Sequence, residues 1–186
     1  MKRLLAIVVL FLFLPGCSRA DDSLSRAISL REKVLYASGC CFDAIITADY
    51  KDYVYTFSLN CEVDNKGNLK FTVTDPETIS GISGTVSDAG GTLTFDNNAL
   101  AFDVLADGQI TPVSAPWHFM NTLRGGYFSA CGDDGEYLRI SADDSYEGET
   151  LHFDIWLDEN DLPLRGEILW QGRRIISLDV RNFRFV

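Results

Sequence analysis

The sequence predicts an α+β fold in which one large antiparallel sheet is covered on one face by two helices. Three features carry this. An apolar stripe at helical spacing follows an acidic cap near residue 21. Short alternating segments broken by Gly, Asn and Asp fill most of the remaining chain. One Pro-led, Gly-stopped segment, 112–126, interrupts them midway.

Asp21-Asp22-Ser23 is a good helix cap, with acids at the positive end of the helix dipole. Leu24, Ala27, Ile28, Arg31, Val34 and Leu35 then fall on one stripe, apolar except for Arg31, and Ser38-Gly39 ends it. Strands follow at 42–48, 53–61 and 69–74, with shorter ones at 84–87, 91–95 and 99–105. Turn residues separate them, as in a meander. After the second helix, strands at 136–141, 150–157, 164–170 and 173–185 close the chain. Gln171-Gly172 reads as the tight turn of the last hairpin.

Several stretches resemble the LolA/LolB-like superfamily. They are Phe71-Thr72-Val73 with Pro76-Glu77 nearby, Leu93-Thr94-Phe95-Asp96, Ser114-Ala115-Pro116-Trp117 and Gly125-Gly126-Tyr127. Leu162-Pro163-Leu164, the run from Glu167-Ile168-Leu169-Trp170 through Gln171-Gly172-Arg173-Arg174-Ile175, and Val180-Arg181-Asn182-Phe183 complete the set. The resemblance implies a curved, incomplete β-barrel, with an N-terminal and a short central helix over its apolar concavity. It also implies a protein that binds acyl chains or envelope partners and is not an enzyme. Trp117, Phe119, Leu123, Trp156 and Trp170 are then the candidate lining of the hollow. The alternative is a filled core in which these residues only pack, with partners meeting a sheet edge or an acidic outer face.

The N-terminus supplies an address. Met1-Lys2-Arg3 is positive, 4–14 is unbroken apolar chain, and Leu14-Pro15-Gly16-Cys17 follows. This is the layout of an export signal, and the run is shorter than the roughly 20 residues of a membrane span. Its end resembles the bacterial lipobox. That resemblance implies a signal peptide over 1–16 and diacylglycerol on Cys17. It further implies a short tether over 17–22, one domain over 23–186, and a place in the cell envelope. The anchor would sit in the outer face of the cytoplasmic membrane or in an outer membrane. The two acyl chains of such a group suffice for stable anchoring.

Loss of residues 1–16 removes Lys2 and Arg3, so the net charge of −11 becomes −13 on 170 of the 186 residues. So acidic a chain excludes nucleic acid as a partner, because nucleic acid needs basic patches. It also leaves membrane attachment to the anchor rather than to attraction by anionic lipid.

Four further cysteines remain: Cys40, Cys41, Cys61 and Cys131. A two-residue turn at Tyr50-Lys51 places Cys40 directly opposite Cys61, where cross-strand Cβ atoms come within about 4.5–5.5 Å, near the span of a disulfide. A Cys40–Cys61 bridge, a Cys41–Cys131 bridge and buried free thiols all stay open. Adjacent Cys40-Cys41 does not have the usual ligand spacing of a zinc site.

Catalytic signals are weak. His118 beside Trp117 reads as a packed residue. His152 and Asp154 share a strand face and would need a third ligand to hold a metal. The acidic runs 133–136 and 143–149 lack EF-hand spacing and read as solvated turns. No Gly-x-Ser-x-Gly, His-Glu-x-x-His or phosphate-loop motif is present. The sequence therefore points to no cofactor, no metal and no catalytic residue.

Overall fold

A computed structural model describes residues 18–186 except Asn97, Val104, Asp107, Gly108 and Glu147. The expected signal peptide over 1–16 and the expected lipidation site Cys17 lie outside the described residues. The chain begins with helix α1 (Ser18–Tyr36) and enters a meander of six strands. These are β1 (Gly39–Asp49), β2 (Val54–Asp64), β3 (Leu69–Asp75), β4 (Ser83–Ser87), β5 (Gly90–Phe95) and β6 (Asn98–Phe102). A small hairpin, β7 (Leu105–Ala106) and β8 (Gln109–Ile110), leads to helix α2 (Ala115–Gly125). A second meander follows: β9 (Tyr127–Asp134), β10 (Tyr137–Tyr146), β11 (Glu149–Leu157), β12 (Pro163–Trp170) and β13 (Arg173–Phe185).

The two meanders join through an antiparallel β1–β13 pair into one sheet ordered β6-β5-β4-β3-β2-β1-β13-β12-β11-β10-β9. The strand order does not close, so the sheet is a curved half-barrel with β6 and β9 as its edges. The connection from β6 to β9 must cross from one edge to the other. It crosses the concave face, and α2 is the part of it that fills the hollow. From Ala115 to Met120 every residue of α2 is buried, as are Thr122 and Leu123.

Alternation places the core on that face. Leu59, Cys61 and Val63 of β2 lie beside Val73, Phe71 and Leu69 of β3. Leu151, Phe153, Ile155 and Leu157 of β11 continue the wall, with Ile176, Leu178 and Val180 of β13 between. Burying a side chain of this size contributes roughly 1.5–3 kcal/mol, so the filled hollow is the main store of stability.

The structure departs from the sequence expectation in five places, the first being that the strand expected over 99–105 ends at Phe102, with Leu105 in the separate β7–β8 hairpin. Helix α1 is described from Ser18, ahead of the expected cap at 21–23, so the described part of the stretch assigned to a tether, 18–22, is helical. The second meander has five strands, not four: β9 was not expected. Its residues carry no clean two-residue alternation, because an edge strand under a helix is not divided into a wet and a dry face. β10 runs on through Tyr146, so Asp143 and Asp144 belong to a strand rather than a turn. Finally, the first hairpin turns at Lys51-Asp52, one residue later than expected. Tyr50 donates to the Tyr53 carbonyl at 3.0 Å and Lys51 takes φ 70°.

That slip moves the cysteines. Cys40 faces Val63, and Cys61 faces Phe42. Cys40 and Cys61 are diagonal rather than direct neighbours, and diagonal residues stand about 7–8 Å apart, beyond disulfide reach. Cys40, Cys41, Cys61 and Cys131 are all free thiols. The last hairpin matches expectation: Gln171 (φ 50°) and Gly172 (φ 75°) form a two-residue turn between paired Trp170 and Arg173.

Candidate functional site

Helix α2 packs over β10, β13 and, through Phe119 on Gly166, β12, whereas the β4–β6 end of the concave face carries apolar side chains that are exposed among the described residues. Leu93, Phe95 and Leu100 project there, because they share the face of Gly84 and Phe71. With Ile82, Asn98 and Ala99 they line an open cleft of about 420 Å³. Phe95 is 51% exposed and Leu100 66%. At the same end of the strands Tyr53 and Tyr55 stack at 6.3 Å and are exposed as well. No charged side chain lines the cleft. An apolar surface of this kind, rimmed by polar chain, marks a place of interaction.

Glycine shapes the floor of this region. A Cβ on Gly84 would stand 2.6 Å from Phe71 Cζ, so the Phe71 ring can lie flat on β4 only over a glycine. The β5–β6 pair ends at Phe95 opposite Asn98, and Asp96 takes φ 46° as the chain leaves β5.

The five candidate lining residues are not brought together. Trp117 is 3% exposed, and Phe119 and Leu123 are fully buried; these three belong to the plug rather than to the wall of a cavity. Trp170 packs against the core opposite Leu151. Trp156 lies on the convex face, because its inward neighbours are Ile155 and Leu157. There its Nε1 donates to Asp134 at 2.8 Å. Arg139 and Arg165 lie 5.5 and 5.1 Å from its ring centroid. Sequence reasoning missed the actual cleft, yet it had one signal. Leu93-Thr94-Phe95 and Ala99-Leu100-Ala101 put apolar residues on both strands of a short hairpin.

His118 is buried against the Trp117 ring, 4.9 Å between centroids. His152 Nδ1 lies 2.7 Å from Asp143 Oδ1, and its Nε2 lies 3.5 Å from Asp154 Oδ1. Asp154 in turn accepts from Arg139 Nη2 at 2.7 Å and from Ser141 at 2.7 Å. Its oxygens are thus taken up by an arginine and a hydroxyl. Among the described residues no group of three or more His, Cys, Asp or Glu could hold a metal. The convex acids are largely paired on the sheet itself: Glu167 also meets Arg165 and Arg174.

The buried thiols are chemically quiet. Burial pushes Cys40 up to about 12 and lifts Cys61 well above the ordinary thiol value.

The architecture has known counterparts among solved structures. A LolA superfamily protein from Nitrosomonas europaea matches with TM-score 0.50 at 9% identity, over 88% of this chain and 93% of that one. A putative outer membrane lipoprotein-sorting protein domain from Vibrio parahaemolyticus matches with TM-score 0.50 at 10% identity, over 89% and 93%. The chain has the LolA-like fold. No protein-family profile matches the sequence, and no curated protein matches it significantly. The LolA-like half-barrel agrees with the resemblance read from the sequence. In this chain its hollow is plugged at the centre and open at the β4–β6 end.

Proposed function

We propose that this chain is a non-enzymatic binding protein of the bacterial envelope, lipid-anchored at Cys17, which holds an apolar group in the cleft of Ile82, Leu93, Phe95 and Leu100. The observation that carries this reading is the exposure of Phe95 and Leu100 on the concave face, beyond the reach of α2. The occupant is a lipid, the acyl chain of a lipoprotein, or the apolar side chains of an envelope protein. Two facts favour the protein. The centre of the hollow is solid, and what remains is an open surface cleft rather than an enclosed cavity. The convex acidic face is a weaker candidate, because Asp143, Asp154 and Glu167 are engaged with His152, Arg139, Arg165 and Arg174. The Vibrio domain of the same fold is described as lipoprotein-sorting, which accords with an envelope address and an apolar cargo or partner.

Native mass spectrometry of the full chain, exported and purified in mild detergent, tests this. The wild type carries an additional lipid or protein mass that Leu100→Asp loses. An unloaded mass for the wild type, persisting after incubation with phospholipid and envelope extract, overturns the reading.

A further inference from the structure

Helix α1 carries two apolar stripes side by side. Ser23, Ala27, Leu30 and Val34 are buried against the domain. Leu24, Ile28 and Leu35, one residue further round, are 41%, 44% and 42% exposed. Arg31 continues this second stripe but folds inward, its guanidinium 3.7 Å from the Phe128 ring centroid. The outer stripe is therefore apolar, and among the described residues nothing covers it.

We infer that this stripe rests on the lipid bilayer, so that α1 is a surface-lying membrane contact as well as a structural helix. Two observations select lipid as the occupant. The first is where the chain comes from. Ser18 begins the helix directly after Cys17, which leaves no slack between anchor and helix. At 1.5 Å per residue, Leu24 and Ile28 lie only about 9–15 Å along the helix from its start. This inference rests on the anchoring proposed above. It keeps its force if the signal is retained, because the apolar run 4–14 then enters the membrane three residues before the helix.

The second observation is layout. The exposed stripe of Leu24, Ile28 and Leu35 presents no charge outward, and such a stripe lies in the acyl boundary of the interface.

The contact also orients the domain. Arg26 pairs with Asp161 in the β11–β12 turn, and Arg124 links the Val34 carbonyl to the Asn65 carbonyl in the β2–β3 turn. Both turns lie at one end of the strands. The β5–β6 turn beside Phe95, and the β1–β2 turn at Lys51-Asp52, lie at the other. With α1 on the membrane, the open cleft points away from it, towards partners in the adjoining space.

The test places photoreactive benzoylphenylalanine at residue 28, 29 or 52 of the full chain, in cell membranes carrying radiolabelled phospholipid. Residue 29 is about 100° round the helix from residue 28, and residue 52 is at the far end of the sheet. The expected result is a phospholipid adduct at 28, several-fold stronger than at 29 or 52. Equal yields at 28 and 29, a protein adduct at 28, or no adduct at all overturns the inference. The intact mass of the mature N-terminus reports separately on acylation of Cys17. A failure of the anchoring reading is thereby told apart from a failure of the helix contact.

Discussion

The ring of Phe119 lies directly on Gly166. A Cβ added at 166 would stand 2.6 Å from Phe119 Cε2. The pair fixes how deep α2 sits: the helix can press against β12 only where the strand has no side chain. The first prediction follows. Gly166→Ala pushes the ring outward and costs about 1–3 kcal/mol by overpacking. Phe119→Ala leaves a void and costs about 3–5 kcal/mol. Both read as lowered denaturant midpoints with unchanged slope. A Gly166→Ala protein as stable as the wild type would show that α2 is not held at this depth.

Arg31 ties three elements together. Its Nε donates to the Leu123 carbonyl at 2.8 Å and its Nη2 to the Gly126 carbonyl at 2.6 Å, while its plane covers Phe128. These carbonyls end α2 and would otherwise lack helical partners. Arg31→Met keeps the apolar stem and loses the bonds, so it should lower stability by about 1–3 kcal/mol, the usual cost of leaving such groups unmet. Calorimetry of the two proteins side by side checks it.

Thiol chemistry should separate the cysteines. Cys40 and Cys61 are buried, with burial raising both above the ordinary 9.0, while Cys41 is partly exposed. At pH 8 iodoacetamide should label Cys41 in the native protein, and label Cys40 and Cys61 only after unfolding. Peptide mapping before and after denaturant reads this directly. Because the folded Cys40 titrates near 12 and the unfolded thiol near 9, stability should also fall as pH rises from 9 towards 12.

Asp43 sets an acid limb. Asn182 donates to its Oδ2 at 2.7 Å and Asn60 to its Oδ1 at 3.0 Å. These bonds favour the carboxylate and hold it below the ordinary 3.8. The folded value lies under the unfolded one, so the contribution is present above the unfolded value and lost as pH falls through the folded one. Asp43→Asn should leave the protein less sensitive to acid below about pH 4, the unfolded range of a carboxylate. Unfolding midpoints across acid pH, compared for the two proteins, decide it.

Most of the sheet is legible in the sequence, because strands with one buried face alternate. Leu151, Phe153, Ile155 and Leu157 declare themselves, and so does the Gln171-Gly172 turn. Helix α1 is legible from its stripe, and α2 from its proline and glycines. Strand β9 is not, since an edge strand partly covered by a helix has no strict period. The site is less legible than the fold. Tryptophan is the natural guess for an apolar hollow, yet Trp117 plugs it and Trp156 lies outside. Which residues stay open depends on where the β6-to-β9 connection crosses the concave face, and no local pattern records that. The cysteine pairing failed for a smaller reason: a one-residue move of the first turn changes every cross-strand partner.

The central claim is that the β4–β6 end of the concave face is the binding surface. The measurement that tests it most directly is photocrosslinking in intact envelopes from position 100, with position 179 on the convex face as reference. The account predicts a discrete protein or lipid adduct at 100 and none at 179. Adducts at 179 with none at 100 would contradict it and move the working surface to the outer face of the sheet.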